Sequence, residues 1–482
     1  MSVKKNIGWN MLLTLSGYIF PLLTFPYVTR VLGPEGFGMA NFALSIVDYA
    51  VLLSTLGMAM VGIRSMAQCA PKKEVRSEVF SRLVSIHLLL SAVALLMYFV
   101  VVWCVPELAE HKELYYIGSA KVLFNVMLVE WLFQGLQDFR YVTLRTLAVR
   151  TLYVVAVFIF VRNKEDYDMF FYVTIGQVVL NALINWRYAR RYVIFRFQLR
   201  GSGEYVSPIF SMGLNAILLS FYTTFNVLYL GFACDEAAVG YYTAAVRLYS
   251  IFIAVIGAYN GVFVPYLNTL YAQGEMEKFR SVIGKSINLV SFLALPVIVG
   301  GVILAPQIIY LVAGAGYERA VLPFQIVLVQ VFLVGIAQIL ENQILLAFKK
   351  YREILICTAS TTILAALIII LFVPTHAEAA AAWAVAIPHV LEMILLYLYA
   401  RREVPIDIDK KSIWSYVVSC VPIAAVCFAL LFSGWNYLWV LVVGVPLSGI
   451  AYLMLQSQIY HNPLIKEAIG KRLKKNRGNI FF

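Results

Sequence analysis

Long apolar segments recur along the whole chain and alternate with short polar stretches. Fourteen of them are long enough to cross a bilayer as helices, because about 20 residues at 1.5 Å each span its hydrocarbon core. They cover residues 9–31, 37–62, 83–105, 114–137, 145–161, 169–189, 207–233, 239–264, 287–313, 322–348, 354–373, 378–400, 413–432 and 438–457. Short alternating strands are not the pattern here, so the sequence predicts an all-α, polytopic membrane protein with about 14 transmembrane helices.

The composition agrees with this pattern. Of the 482 residues, 62% are hydrophobic and 13% are charged, which is about half the charged share of a soluble domain. This composition excludes a cytosolic enzyme, a disulfide-rich secreted scaffold and a disordered chain. The six cysteines form no CxxC pair, and the sequence has no HExxH, GxSxG or P-loop motif. No catalytic residue and no metal site is therefore predicted.

Basic residues are distributed unevenly between alternate loops. If the N-terminus is cytoplasmic, 31 of the 38 lysines and arginines fall on the cytoplasmic side and five on the other side. This is a strong positive-inside signal, and it predicts that both termini are cytoplasmic. The net charge of +12 then follows from topology and indicates no nucleic-acid partner. The basic tail is expected to contact anionic membrane lipids.

The segments predict two bundles and an appendage. A weak internal repeat at an offset of 202 residues pairs Gly38 with Gly240 and Tyr27 with Tyr229, although chance similarity between apolar helices is the alternative. The predicted domains are a first six-helix bundle at 1–195, a cytoplasmic linker at 196–206, a second six-helix bundle at 207–402, transmembrane helices 13 and 14 at 403–458, and a basic cytoplasmic tail at 459–482.

Polar side chains inside the apolar segments are the candidate functional residues. A charge in lipid is costly, so such residues are expected to face a bundle interior or a water-filled cavity. They are Asn41 and Asp48 in the second span, Lys121 and Glu130 in the fourth, Arg247 in the eighth, Glu341 in the tenth, and His389 and Glu392 in the twelfth. Nine residues separate Lys121 from Glu130, which places them on opposite faces of one straight helix. The alternatives are polar contacts between packed helices, a buried ion pair or a protonated carboxyl.

Basic residues in and beside the spans fall at two depths. Arg30, Lys121 and Arg247 lie in the outer halves of their spans, whereas Arg64, Arg145 and Arg150 lie at inner ends. Cationic sites at both depths suit an anionic head group that crosses the membrane. Arginine favours phosphate because its guanidinium group can bind two oxygens at once. The residues predicted to bind a diphosphate are Arg30, Arg64, Lys121 and Arg247, with Arg145 and Arg150 as inner-mouth contacts. Those predicted to line the cavity or couple a proton or sodium ion are Asn41, Asp48, Glu130, Glu341, His389 and Glu392.

Two motifs carry a family resemblance. Arg30-Val-Leu-Gly-Pro-Glu-Gly-Phe-Gly38 joins the first two spans, and Glu130-Trp-Leu-Phe-Gln-Gly135 lies at the end of the fourth. Together with the fourteen spans, they closely resemble the Wzx-type flippases of the polysaccharide transporter family. That family belongs to the superfamily of multidrug, oligosaccharidyl-lipid and polysaccharide exporters.

The resemblance implies a transporter of the bacterial inner membrane that is not an enzyme. It would move an undecaprenyl-diphosphate-linked oligosaccharide, a repeat unit of O-antigen, capsule or exopolysaccharide, from the cytoplasmic to the periplasmic leaflet by alternating access. The family fold has two six-helix bundles in a V around a cationic central cavity, with two added C-terminal helices. A glycan polymerase and chain-length machinery are the protein partners that such a role implies. No cofactor is expected beyond a coupled H⁺ or Na⁺.

Three other functions compete with this interpretation. A peptidoglycan-precursor flippase would differ only in its cargo. A drug/cation antiporter of the same superfamily would favour acids and aromatic residues in its cavity over the arginine and lysine set. A membrane glycan polymerase needs sizeable outer loops, and outer loops such as 106–113 and 162–168 are short.

Overall fold

The computed structural model describes residues 3–70, 72–407 and 409–462, and in these ranges the regular secondary structure is helical, with no strand. The α-helices in chain order are α1 Val3–Thr55, α2 Met58–Gln68, α3 Lys73–Cys104, α4 Lys112–Asn125, α5 Glu130–Gly135, α6 Phe139–Phe160, α7 Tyr167–Ala189, α8 Gly203–Ala233, α9 Glu236–Ala272, α10 Met276–Ile303, α11 Ala305–Val312, α12 Val321–Gln338, α13 Tyr351–Glu403, α14 Lys410–Phe432 and α15 Tyr437–Met454. Two π-helical segments, Ile339–Leu345 and Leu455–Ile459, continue α12 and α15. Most of the predicted basic tail, 463–482, lies outside the described residues.

Apolar helices of membrane-spanning length dominate the described part of the chain. Eleven helical segments there are long and apolar enough to cross a membrane, or twelve if the bent pair Gly203–Phe221 and Thr223–Ala233 is one span. The segment Gly8–Gln68 has 61 residues, about 90 Å of straight helix and three times the thickness of the hydrocarbon core. The predicted all-α, multi-pass membrane fold is confirmed. The count of fourteen crossings and the V arrangement stay predictions.

Both of the longest helices are broken near their middle. Inside α1, Gly33 has φ 69° and ψ 178°, and inside α13, Ala377 has φ 44° and ψ −126°. A positive φ at residue 33 favours glycine, and the following Pro34 is suited to the first turn of a new helix. The glycine-proline part of the first family motif therefore forms a turn between two helical halves of α1.

The loop before α7 packs against this turn. A Cβ atom on Gly36 would lie 3.0 Å from the carbonyl oxygen of Lys164, so a larger residue would push the loop away. The same loop is closed by Asp166, whose carboxylate accepts the backbone N–H groups of Arg162 and Asn163 over 2.8 and 2.7 Å. These two bonds stabilise the charged form and lower the pKa of Asp166.

The predicted fourth span is not one straight helix, and this expectation is wrong. The helix ends at Asn125, Val129 has φ 34°, and α5 begins at Glu130. The amide of Asn185 in α7 donates to the carbonyl of Leu128 in the break. Irregular backbone inside a membrane is tolerated where protein groups satisfy it in this way. Because of the break, Lys121 and Glu130 belong to different helices and do not lie on opposite faces of one helix.

The chain forms two compact units. The first comprises Met1–Thr243 and Ile369–Ala377, and the second comprises Ala244–Ile368 and Glu378–Phe482. In the first unit, an apolar cluster that includes Met58, Phe80 and Trp131 joins α2, α3 and α5. In the second, a smaller cluster joins the end of α10 to α14 and α15. The predicted domain boundaries stay predictions.

The tyrosines related by the sequence repeat make equivalent hydrogen bonds. The Tyr27 hydroxyl donates to the carbonyl of Val161, the last residue of the fifth predicted span, over 2.7 Å. The Tyr229 hydroxyl donates to the carbonyl of Ile370, near the end of the eleventh, over 3.4 Å. Each bond thus joins the first span of one predicted half to the fifth span of that half, as a structural repeat requires.

The glycines related by the repeat meet in one helix crossing. A Cβ atom on Gly38 would overlap the carbonyl of Glu236 and lie 2.8 Å from the nitrogen of Gly240. A Cβ atom on Gly240 would lie 2.9 Å from the carbonyl carbon of Pro34. Residues 34 and 236, like 38 and 240, differ by the repeat offset of 202. The crossing of α1 and α9 is therefore a local pseudo-two-fold contact that leaves no room for side chains.

Candidate functional site

An ion pair joins α1 to α4 in the first unit. The Lys121 ammonium lies 2.5 Å from the Asp48 carboxylate, with exposed side-chain fractions of 16% for the lysine and 44% for the aspartate. Both residues lie well inside apolar helices. The arrangement places a nearly buried cation behind a half-exposed carboxylate.

Neutral polar groups continue this contact between the two helices. The amide of Asn125 donates to the Thr55 hydroxyl over 2.7 Å and lies 3.5 Å from Nε2 of the buried His87 on α3. Asp48 and Thr55 are seven residues apart, two turns along one face of α1, and Lys121 and Asn125 are one turn apart on α4. The four residues thus form a continuous polar seam. Asp48 and Lys121 are among the residues predicted from the sequence, whereas His87 and Asn125 are not, although both are polar residues inside apolar segments, the same signal.

A second ion pair holds the broken helix against α6. Arg145 lies 2.6 Å from the Glu130 carboxylate and donates to the amide oxygen of Asn181 on α7 over 2.5 Å. The exposed side-chain fraction is 4% for Arg145 and 41% for Glu130. Glu130 is the first residue of α5, where a negative charge interacts favourably with the helix dipole. Again the cation is buried and the carboxylate faces open space.

Arg150 lies one turn and a half further along α6 and binds α1 instead of an acid. Its guanidinium donates to the Ser16 hydroxyl and to the carbonyl of Leu13, the latter over 3.4 Å. A Cβ atom on Gly17 would lie 3.7 Å from the same guanidinium. The two predicted inner-mouth arginines are therefore both engaged by protein groups in this conformation.

The remaining predicted residues of the first unit stand apart from these pairs. Arg30 is exposed in α1, and Arg64 is exposed in α2. Asn41 is buried, and its amide donates to the carbonyl of Phe37 one turn earlier over 2.6 Å. The Asn41 side chain thus donates to the backbone of its own helix and is not directed into open space.

The second unit has a polar cluster around the π-helical segment. Asn260 of α9 donates to Gln338 over 2.9 Å and accepts from Gln343 over 2.7 Å. Glu341 lies inside the same π-helical segment, a type of distortion that is frequent at functional sites. Arg247 is half-buried on α9. Asn260 thereby joins α9 to the end of α12 and to the π-helical segment that contains Glu341.

Two predicted residues of α13, His389 and Glu392, lie close together. His389 Nε2 is 3.7 Å from the Glu392 carboxylate, and the exposed side-chain fractions are 15% and 16%. The His389 Nδ1 atom is 2.7 Å from the carbonyl oxygen of Val385. Glu392 also interacts electrostatically with Glu341. His389 and Glu392 therefore lie together on α13, and Glu341 is near enough to interact with Glu392.

An additional ion pair was not anticipated. Arg319 binds Glu378 through two hydrogen bonds of 2.9 Å each, and Glu378 is buried. Glu378 directly follows the break at Ala377, whereas Arg319 precedes α12. From the sequence, Arg319 is only a charge in an outer loop, because its partner is 59 residues away. Among the described residues, no group of three or more histidine, cysteine, aspartate or glutamate side chains could hold a metal ion.

Comparison with a family model decides the classification. Residues 3–271 match the family described as polysaccharide biosynthesis protein, and this match covers more than half of the 482 residues. The chain belongs to the polysaccharide biosynthesis protein family. The match includes both motifs on which the sequence resemblance rests, and it confirms that resemblance.

A curated relative of this family member is known from Escherichia coli (strain K12). It carries the provisional name of O-antigen transporter and is 24% identical over 377 residues, 76% of this chain and 89% of the relative. The inward closed conformation of the lipid II flippase MurJ aligns with a TM-score of 0.77 at 12% identity, over 95% of this chain and 100% of that chain. An inward-facing multidrug resistance MATE family transporter of the MOP superfamily aligns with a TM-score of 0.64 at 17% identity, over 80% and 94%.

These similarities agree with the class of protein predicted from the sequence. The structures share the fold of the family member, and the relatives are transporters rather than enzymes. The prediction of a polytopic membrane transporter is thereby confirmed.

Proposed function

We propose that this family member is a flippase for a lipid-linked glycan, and that its cargo is an undecaprenyl-diphosphate-linked oligosaccharide that moves from the cytoplasmic to the periplasmic leaflet. The provisional O-antigen transporter name of the Escherichia coli relative and the MurJ-like fold support the general role. The diphosphate linkage, the direction and alternating access rest on the family resemblance and on the charges inside the spans.

The observation that carries the proposal is the half-exposed Asp48–Lys121 pair. An ionised carboxylate with 44% of its side chain exposed in the middle of an apolar span would be very costly against hydrocarbon. Water beside Asp48 removes that cost, so we infer that this face of α1 borders a wet passage. Glu130, with 41% of its side chain exposed, extends the same inference toward α5.

Lys121 would exchange partners during transport. A diphosphate carries more negative charge than one carboxylate, so it competes with Asp48 for the Lys121 ammonium once it enters the passage. Arg145 would become available only if the pair with Glu130 opened. Arg30, Arg64 and Arg247 remain the proposed diphosphate contacts outside these pairs.

Proton or sodium coupling is proposed at the acids. Protonation of Asp48 would release Lys121 for the cargo, which links a proton directly to diphosphate binding. Glu341, His389 and Glu392 form the second proposed coupling cluster, because two neighbouring carboxylates repel each other and favour a shared proton or a bound cation.

The proposed setting is the bacterial inner membrane with both termini in the cytoplasm. This orientation follows from the positive-inside count, and anionic lipids would contact the basic cytoplasmic segments. A glycan polymerase and chain-length machinery would use the delivered cargo on the periplasmic side.

A charge exchange between Asp48 and Lys121 tests whether Lys121 contacts cargo. The Lys121→Ala variant and the double variant Asp48→Lys/Lys121→Asp are expressed in a strain that lacks this chain, and surface glycan and protein level are measured. If the pair only packs α1 against α4, the exchanged pair restores glycan. If Lys121 binds diphosphate from its own position, both variants lose glycan at normal protein level, and this is the result we expect.

Arg247 and a loop arginine provide the matched comparison. Arg247→Ala is expected to abolish surface glycan, whereas Arg162→Ala in an outer loop is expected to leave it unchanged. Arg247→Lys should restore little if the guanidinium fork matters. Normal glycan in both Lys121→Ala and Arg247→Ala would refute the cationic passage. Accumulation of a peptidoglycan precursor in the deletion strain would assign the cargo to that pathway instead.

A further inference from the structure

The segment after α7, residues 190–200, lies along α3 and is called the strap here. Three backbone N–H groups of the strap donate to three serine hydroxyls of α3 over 2.9, 3.0 and 2.9 Å, namely Ile194 to Ser77, Arg196 to Ser81 and Gln198 to Ser85. Four helical residues rise about 6.0 Å and two extended residues about 6.6 Å. Because these two distances are nearly equal, Ile194, Arg196 and Gln198 each lie beside a serine on successive turns of α3. The strap is therefore held in a fixed register.

The strap is anchored at its far end as well. A Cβ atom on Gly201, which has φ +81°, would lie 2.9 Å from the Arg82 guanidinium. Arg82 in turn binds Glu78 over 2.6 Å and Glu204 of α8 over 3.3 Å. The serine bonds and this ion-pair network fix the strap between α3 and the start of α8.

The strap lies at the membrane–water boundary. Helix α3 has 32 residues, about 48 Å, which exceeds the hydrocarbon core by about 18 Å. If this excess lies at its charged N-terminal end, its first twelve residues, which include Ser77 and Ser81, reach through the headgroup region, and Ser85 follows directly at the edge of the hydrocarbon core. Because the serine bonds run in the same order on both segments, Gln198 beside Ser85 lies nearer the apolar part of α3 than Ile194 beside Ser77.

Apolar and cationic side chains of the strap are both exposed. The exposed fractions are 54% for Ile194, 60% for Phe197 and 43% for Leu199. Arg190, Arg191 and Arg200 are exposed beside them. This combination is typical of a segment that inserts apolar side chains below the headgroups and binds lipid phosphates with its arginines.

A cavity under the strap has the matching chemistry. It has a volume of about 380 Å³ and is lined by Phe80, Trp186, Phe195 and Arg190, among others. The rings of Phe80 and Trp186 are 6.0 Å apart, and those of Trp186 and Phe195 are 5.7 Å apart. Its size falls in the range of small-molecule sites, and an aromatic wall with a cationic rim fits an acyl chain below a phosphate.

We propose that the strap is a binding surface for anionic phospholipid of the surrounding bilayer, which fastens the connection between α7 and α8 to the membrane. Arg190, Arg191 and Arg200 would bind the headgroup phosphates, and Phe197 and Leu199 would insert beside the acyl chains. Arg196 is not included, because it shares a second cavity of about 330 Å³ with Glu74 and Glu78. This proposal is independent of the transported cargo.

Hydrogen exchange of the strap in nanodiscs tests the proposal. The full chain is placed in nanodiscs of phosphatidylcholine, with or without phosphatidylglycerol, and exchange of a peptide that covers 192–199 is followed by mass spectrometry. One arginine near an anionic surface contributes about fivefold to binding. Phosphatidylglycerol is therefore expected to slow exchange by at least about fivefold, and Arg190→Gln/Arg191→Gln/Arg200→Gln should abolish this slowing.

Three controls separate lipid binding from other causes. The variant Arg401→Gln/Arg402→Gln/Lys411→Gln removes three charges elsewhere and should keep the lipid effect. Arg196→Gln should also keep it. Inorganic phosphate added to phosphatidylcholine nanodiscs should leave exchange unchanged.

Several results would overturn the proposal. Equal exchange rates with and without phosphatidylglycerol would do so, as would a lipid effect that survives in the Arg190/Arg191/Arg200 variant. Slowing by inorganic phosphate alone would indicate a site for free anions instead. Ser77→Ala/Ser81→Ala/Ser85→Ala should speed exchange in both lipid mixtures, and unchanged exchange would contradict the docked geometry.

Discussion

At the residue scale, the cation is the more buried partner in both intramembrane pairs of the first unit. Lys121 and Arg145 have 16% and 4% of their side chains exposed, against 44% for Asp48 and 41% for Glu130. A buried cation without its counter-ion is strongly destabilising, whereas a half-exposed carboxylate can be solvated by water. The acids therefore hold the cations in place, and the passage proposed here is lined first by carboxylates in this conformation.

Removal of Glu130 is predicted to destabilise the protein more than removal of a matched surface acid. Glu130→Ala leaves the buried Arg145 uncompensated and should cost about 3 kcal/mol of unfolding free energy. Glu78→Ala removes one partner of the more exposed Arg82 and should cost about 1 kcal/mol or less. Thermal unfolding of the two purified variants in one detergent gives the comparison. Equal losses of stability would show that Arg145 is solvated rather than buried.

At the element scale, sequence periodicity and hydrophobicity were sufficient to find the helices but not their breaks. Each predicted span falls mostly within helical segments, because apolar length determines what can cross a bilayer, but the second is interrupted at Leu56 and the fourth at Val129. The break at Val129 was not predictable, since the Val-Met-Leu-Val stretch around it is as apolar as a helix interior. The group that satisfies the broken backbone, Asn185, lies 57 residues away. Gly33-Pro34, in contrast, shows its turn in the local sequence.

For contacts between elements, the sequence likewise identifies single residues but not the pairs that they form. The candidates Asp48, Lys121, Glu341 and Glu392 could be selected because charges in apolar segments are rare. The pairing of charged residues could not be predicted, because neither Arg145 with Glu130 nor Arg319 with Glu378 is visible without the packing. The serines at 77, 81 and 85 are regularly spaced, but the sequence does not show that they accept hydrogen bonds from the backbone of the strap.

The crossing of α1 and α9 is predicted to require glycine on both helices. Gly38→Ala and Gly240→Ala each insert a Cβ atom into the carbonyl of the facing helix and should each cost about 1–3 kcal/mol. The double variant should cost less than the sum, since one separation of the helices relieves both overlaps.

Gly176 provides the control for this crossing. It lies in α7 with no atom within 4 Å of a built Cβ, so Gly176→Ala should be neutral or stabilising by up to about 1 kcal/mol. Thermal unfolding of the four variants measures these differences. If Gly38→Ala behaves like Gly176→Ala, the two helices do not cross at this point.

At the scale of the whole molecule, the membrane potential can supply much of the work. An inside-negative potential of about 100 mV favours outward movement of two negative charges by roughly 4–5 kcal/mol if they cross the full field. The pairing of Asp48 with Lys121 would suit such a mechanism, because a cation that changed partners would guide the proposed cargo without being carried along. A coupled ion would add to this driving force but is not required by it.

The distribution of cargo between leaflets is therefore predicted to follow an imposed potential. In liposomes that contain the chain and a polyprenyl-diphosphate-linked glycan, a potassium diffusion potential should move the cargo toward the positive side. Reversal of the potential should reverse the distribution. An unchanged distribution under both polarities would mean that the diphosphate charge does not cross the field.

The central claim is that the Asp48–Lys121 pair borders a wet passage for a phosphate-bearing glycan lipid, and the most direct test is translocation by the purified chain. Liposomes are prepared with a fluorescent polyprenyl-diphosphate-linked glycan, and an impermeant reductant reports the fraction in the outer leaflet over time. The account predicts rapid exchange between leaflets with the unmodified chain, and exchange no faster than in protein-free liposomes with Lys121→Ala. Full exchange with Lys121→Ala, or none with the unmodified chain, would contradict it.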